Sequence, residues 1–128
     1  MFTLQQIEQI HNKFGNASNI GEYLQQLHKI GVVRQDSFIA DGHSEYYNSQ
    51  DQKLASAPMY DKLTISKKTN EQSFKKHLDL HNQGRTSYIE MSQSLAESGI
   101  EKWTFDTVKM TITYLDKQGM AVLVEPIV

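Results

Sequence analysis

Asp41 and His43 stand one residue either side of Gly42. A carboxylate beside an imidazole can steer its tautomer, and such a His can act as a general base or bind a metal. The plainer use of Asp41-Gly42-His43 is a tight hairpin turn, with Asp capping it and His exposed. His77 and His81, four residues apart with Asp79 between them, would share one helix face, where two imidazoles can hold a divalent ion. They flank the apolar stripe of Phe74 and Leu78, and His11 lies in a comparable stripe between Ile7 and Phe14. That repetition suits a structural role near terminal helix carbonyls. Trp103, Tyr46 and Tyr114, with Tyr47 and Tyr88, supply aromatic surface that could line a ligand cleft, Asp106 facing it; filling a sheet–helix interface is the competing use. Gly-rich phosphate loops, G-x-S-x-G, H-E-x-x-H and the Rossmann fingerprint are all missing, and no residue is assigned as catalytic or as a cofactor ligand.

The elements that must position these residues start from helix signals. Thr3/Gln6, Asn19/Glu22, Thr69/Gln72 and Ser87/Glu90 each place an oxygen-bearing cap three residues before a side chain that can reach back to it. Each opens an apolar-periodic run: Leu4, Ile7, Ile10 and Phe14; then Ile20, Tyr23, Leu24, Leu27 and Ile30; then Phe74 and Leu78; then Ile89, Met91 or Ser92, and Leu95. Gly15, Gly31, Gly84 and Gly99 follow as stops. After Gly99 the period changes to two: Trp103, Phe105 and Thr107, then Met110, Ile112 and Tyr114, a turn at Asp116 to Gly119, then Met120, Val122 and Val124. The first half repeats the plan, with strands expected at 33–40, 43–48 and 52–56 and a further one at 61–66.

The two halves also match residue by residue. Sliding 20–58 forward by 68 positions lays Glu22 on Glu90, Gln25 on Gln93, Leu27 on Leu95, Gly31 on Gly99, Tyr46 on Tyr114, Gln50 on Gln118 and Pro58 on Pro126. Composition alone would give roughly two or three such identities. The expected fold is therefore α+β, an internal duplication of a helix-helix-three-strand unit, with helical hairpins packed on antiparallel sheets. Residues 1–128 would form a single domain of two pseudo-symmetric halves, about 1–66 and 69–128, closing over a shared interior.

Composition bounds the function. The chain has 128 residues, 38% hydrophobic and 22% charged, with a formal charge of −2. That charge argues against a nucleic-acid partner bound through bulk charge. With no cysteine there are no disulfides, thiolate metal sites or Cys nucleophile. The N-terminal Met-Phe-Thr-Leu-Gln-Gln carries neither a basic region nor a long apolar run, and no stretch approaches the ~18 apolar residues of a membrane span. A cytoplasmic protein without membrane attachment is expected.

The string Phe38-Ile39-Ala40-Asp41-Gly42-His43, then Glu101-Lys102-Trp103, then Met110-Thr111-Ile112-Thr113-Tyr114-Leu115-Asp116, resembles the YbcV-like bacterial family. The likeness runs from Phe2-Thr3-Leu4 to Val124-Glu125. Its members are uncharacterised small proteins often labelled "phage envelope protein", so the resemblance implies no activity, cofactor or catalytic residue. Three functions are ranked in order. The first is a binding or regulatory module taking a small molecule or protein partner in a cleft between the halves. A hydrolase-like enzyme working through Asp41 and His43, with Glu45 or Asp106, comes second. Third is a self-associating structural or prophage-related protein, a homo-oligomer joined through a contiguous outward apolar patch or an open strand edge at 120–125 or 61–66.

Overall fold

The computed structural model describes residues 1–15 and 19–127. Local chemistry accounts for where the helices begin. In α1 (Leu4–Phe14) the Gln6 amide donates to Thr3 Oγ1 at 3.2 Å while the Thr3 amide donates to Gln6 Oε1 at 2.9 Å. The reciprocal pair recurs at α4 (Tyr88–Glu97), where Ser87 and Glu90 exchange bonds of 3.2 and 3.0 Å. Asn19 stands at the N-cap position of α2 (Ile20–Lys29). The start of α3 (Glu71–Asn82) departs from expectation. Asn70, not Thr69, caps it by accepting the Ser73 amide at 3.0 Å. The Thr69 hydroxyl is drawn instead to Asp116, 3.2 Å away.

Six strands follow the two helical pairs: β1 (Arg34–Phe38), β2 (Ser44–Tyr47) and β3 (Lys53–Ala55) after α2, and β4 (Ile100–Asp106), β5 (Thr111–Asp116) and β6 (Ala121–Pro126) after α4. They form not two short sheets but one antiparallel sheet of order β3-β2-β1-β4-β5-β6, in which β1 and β4 pair at the centre. The element order is thus two helices and three strands, twice over.

The expected strand at 61–66 does not form. Its Leu63 amide donates to the Ala40 carbonyl at 2.6 Å and its Ser66 amide to the Ala96 carbonyl at 2.9 Å, so the segment bonds to two different elements and builds no ladder. It runs as a strap past the tip of the β1–β2 hairpin to the end of α4.

The helices cover one face of the sheet. That face carries Gln35, Ser37, Tyr46, Trp103, Phe105, Ile112 and Tyr114, all buried against Leu24, Leu27, Phe74, Met91 and Leu95. Ring contacts join the layers: Tyr23 to Phe105, Phe74 to Tyr114 and Tyr88 to Trp103. One strand departs in part from its expected facing, although Val122 packs against the core as expected. A register shift between Tyr114 and Leu115 pairs Tyr114 with Leu123, so Leu123 packs toward the core while Met120 and Val124 are 66% and 56% exposed.

Candidate functional site

The opposite face of the sheet carries the Asp41/His43 pair, in the turn that joins β1 to β2. Gly42 is buried at φ +77°, and a Cβ there would meet the Tyr60 ring at 2.7 Å, so the turn depends on glycine. Asp41 Oδ1 accepts the His43 backbone N–H at 3.0 Å and faces His43 Nδ1 at 2.5 Å. The other ring nitrogen, Nε2, faces Glu45 Oε2 at 3.4 Å. The His43 ring stacks on Phe38, with centroids 4.5 Å apart and planes 4° from parallel. Glu45 also accepts the Tyr47 hydroxyl at 3.0 Å and lies 3.6 Å from Lys53 Nζ.

A second carboxylate sits where the two halves of the sheet meet. Asp36 is buried at the β1–β4 pairing, accepting the Thr104 hydroxyl at 2.8 Å, with Arg34 and Lys102 each 3.7 Å away. Arg34 stacks on Tyr47 at 3.9 Å, and Lys102 lies 5.4 Å from the Phe38 ring centre. His43, Phe38, Lys102, Asp36, Arg34, Tyr47 and Glu45 therefore close a ring of contacts across β1, β2 and β4.

That closure decides what His43 can do. A general base needs one imidazole nitrogen free to take a proton, yet both face carboxylates. Partial burial opposes charge on the ring, but the hydrogen bonds to Asp41 and then Glu45 outweigh it and raise His43 above its ordinary 6.5. Burial likewise opposes ionisation of Asp41 and Glu45. The bonds from His43 to Asp41, and from Tyr47 and His43 to Glu45, prevail and hold both below their ordinary 3.8 and 4.5. The arrangement favours the charged form of the imidazole, which is held between two carboxylates. Its sign against pH follows. The His43 contribution is complete below 6.5 and fades as pH rises through the raised value, whereas the carboxylate contributions are complete above 4.5 and fade as pH falls through the lowered values. The clamp is strongest in the mildly acidic window between those limits. Thermal midpoints of the native chain and of His43→Asn should differ most in that window and draw together as pH rises through the raised His43 value; a constant offset at all pH would contradict the clamp.

The other residues singled out from the sequence do not gather around Asp41 and His43, although Trp103 and Tyr114 pair directly across β4 and β5. Trp103, Tyr46 and Tyr114 are 9%, 6% and 7% exposed and pack in the sheet–helix core. Burial, with the neighbouring Glu125, raises the Tyr114 hydroxyl, and burial pushes Tyr88, edge-on to Trp103, up to about 12. Among the described residues, Trp103 Nε1 is the buried side-chain polar atom without a hydrogen-bond partner. Asp106 accepts the amides of Val108 and Lys109, both at 2.9 Å, and so holds the β4–β5 turn. His81 Nδ1 lies 3.1 Å from the Thr86 hydroxyl, and His11 is edge-on to Tyr23. No group of three His, Cys, Asp or Glu among the described residues could hold a metal ion. No helix among them is long and apolar enough to cross a membrane.

Residues not singled out from the sequence form a groove of about 360 Å³. Ala40, Leu63, Thr64 and Ile65 of the first half face Glu101 and Lys117 of the second, with Lys62 also in the lining. A hollow of about 350 Å³ lies between α1 and α2, lined by Ile10, Phe14, Ile30 and polar neighbours, but it belongs to one helical pair. No local signal marks the inter-half groove, because its lining comes from four separated places in the chain.

A family model described as "Protein of unknown function (DUF1398)" matches residues 8–126, and the chain belongs to that family. No curated protein matches the chain.

Proposed function

From membership in a family without an assigned activity, and from the geometry above, we propose that the chain is a non-enzymatic module that binds a small acidic or zwitterionic molecule in the groove between its halves. The groove itself carries the reading. Its volume is within the range of small-ligand sites, and it joins an apolar lining of Ala40, Leu63 and Ile65 to two ammonium groups, a carboxylate and a hydroxyl. Lys62 and Lys117 suit an acidic group, and Glu101 suits a donor on the same molecule. The hydrolase reading has no comparable support, since Asp41 and His43 spend their polar atoms on each other and on Glu45.

An origin by duplication accompanies this reading. Supporting it, α2 and α4 occupy 20–29 and 88–97, an offset of 68. The β1–β2 pairs Arg34↔Tyr47 and Gln35↔Tyr46 reappear at the same offset as Lys102↔Leu115 and Trp103↔Tyr114. Asp36 pairs with Thr104, its own counterpart, which would set a local two-fold axis between β1 and β4. The YbcV-like resemblance sits beside this proposal and adds no role to it.

Thermal shift against metabolites grouped by charge tests the function. Acidic or zwitterionic compounds should raise the midpoint in a concentration-dependent way, and Lys62→Glu/Lys117→Glu should remove the shift while His43→Asn keeps it. A shift unchanged by the double variant, or confined to uncharged compounds, would exclude the groove.

A further inference from the structure

The six-stranded sheet ends in two unlike edges. β3 is three residues long and opens with Lys53, a short charged edge of the kind that resists further pairing. β6 has six residues, and Ala121-Val122-Leu123-Val124 carries no charge and no proline. Exposed apolar side chains gather along it. Val124 is on the strand, Met120 at its start, and Val108, 65% exposed, is in the turn beside its far end.

We propose that this edge pairs with the same edge of a second copy of the chain, antiparallel about a two-fold axis at Val124. The strand is self-complementary in that register. Val124 meets Val124 of the second copy, on the face away from the helices. Leu123 lies opposite Glu125, so the one charge of the strand meets an apolar side chain and never its own duplicate. Val122 falls opposite Pro126 and Ala121 opposite Ile127 of the second copy, so apolar groups at the two ends of the strand cover each other. The result is a continuous twelve-stranded sheet with both sets of helices on one side. Edge pairing buries less surface than the roughly 1,200 Å² at which stable interfaces begin, so the association should be concentration-dependent and not constitutive.

Sedimentation velocity from low micromolar to millimolar concentration reads this directly. The native chain should pass from monomer to dimer. Val124→Lys and Val124→Glu, at a site already 56% exposed, should each keep the native circular dichroism and weaken association at least tenfold. Mixing the two variants should restore a dimer, because opposite charges then meet at the axis. Met59→Lys, at a 68% exposed site just before the strap, should associate as the native chain does. If Val124→Lys loses structure, Met120→Lys reads the same edge. A native chain that stays monomeric throughout overturns the proposal, as does a dimer insensitive to both edge variants. A mixture that remains monomeric overturns the two-fold register. Co-sedimentation with a different protein, abolished by Val124→Lys, would replace the second copy as occupant.

Discussion

Gly99→Ala is expected to destabilise the fold by about 2–5 kcal/mol, whereas Gly31→Ala, its counterpart 68 residues earlier, should cost about 1–2 kcal/mol. Both glycines end a helix at positive φ, +86° and +99°, so a Cβ is conformationally unfavourable at either. They differ in what surrounds them. A Cβ at Gly99 would lie 2.6 Å from the Lys68 carbonyl oxygen and 2.9 Å from Thr69 Cα, both main-chain atoms that cannot rotate away. At Gly31 no atom of the described residues lies within 4 Å. The close approach at Gly99 comes from the segment joining the halves, whose Asn70 amide donates to the Ser98 carbonyl at 2.9 Å. Urea denaturation of the two variants checks the difference. Equal losses would show that this segment is not held against α4 in solution.

Leu27→Ala and Leu95→Ala should each cost about 2–5 kcal/mol and do so within one cooperative transition. Both leucines are 0% exposed and occupy matching places on α2 and α4. Each deletes a large side chain from a core that runs without interruption under the continuous sheet, from Ile7 and Leu24 to Phe74 and Ile112. Because β1 and β4 pair at the centre of that sheet, loss of packing in one half should be felt in the other. Calorimetry giving a single transition of lowered midpoint for both variants is the expected result. Two resolved transitions, only one of them shifted by each variant, would mean the halves unfold separately.

Much of the scaffold was legible in the sequence because its causes are local. The Thr3/Gln6 and Ser87/Glu90 pairs act over three residues, and alternation along β4 and β5 records burial on one face. The same alternation places His43, Glu45 and Tyr47 on one side of β2, so Glu45 as a partner of His43 was within reach of the pattern. Where the cause is tertiary, the pattern misled. Leu63 and Ile65 alternate like a strand, but their segment is held by Ala40 and Ala96. The facing of Met120 and Val124 was decided by the register shift beside Tyr114, which leaves no mark in the spacing. Trp103, Tyr46 and Tyr114 have the chemistry of a ligand cleft, yet helices from both halves cover them. The joining of Asp36 to Lys102 and Thr104 depends on strand pairing between positions far apart in the chain. The groove is the extreme case, assembled from positions 40, 62–65, 101 and 117.

Binding in that groove is best tested by amide chemical-shift mapping with whichever acidic or zwitterionic compound raises the thermal midpoint most. Perturbations should concentrate at Ala40, Leu63 to Ile65, Glu101 and Lys117, and should disappear in the Lys62→Glu/Lys117→Glu chain. Perturbations centred instead on Asp41, His43 and Glu45, or on Ile10, Phe14 and Ile30 between α1 and α2, would contradict the account.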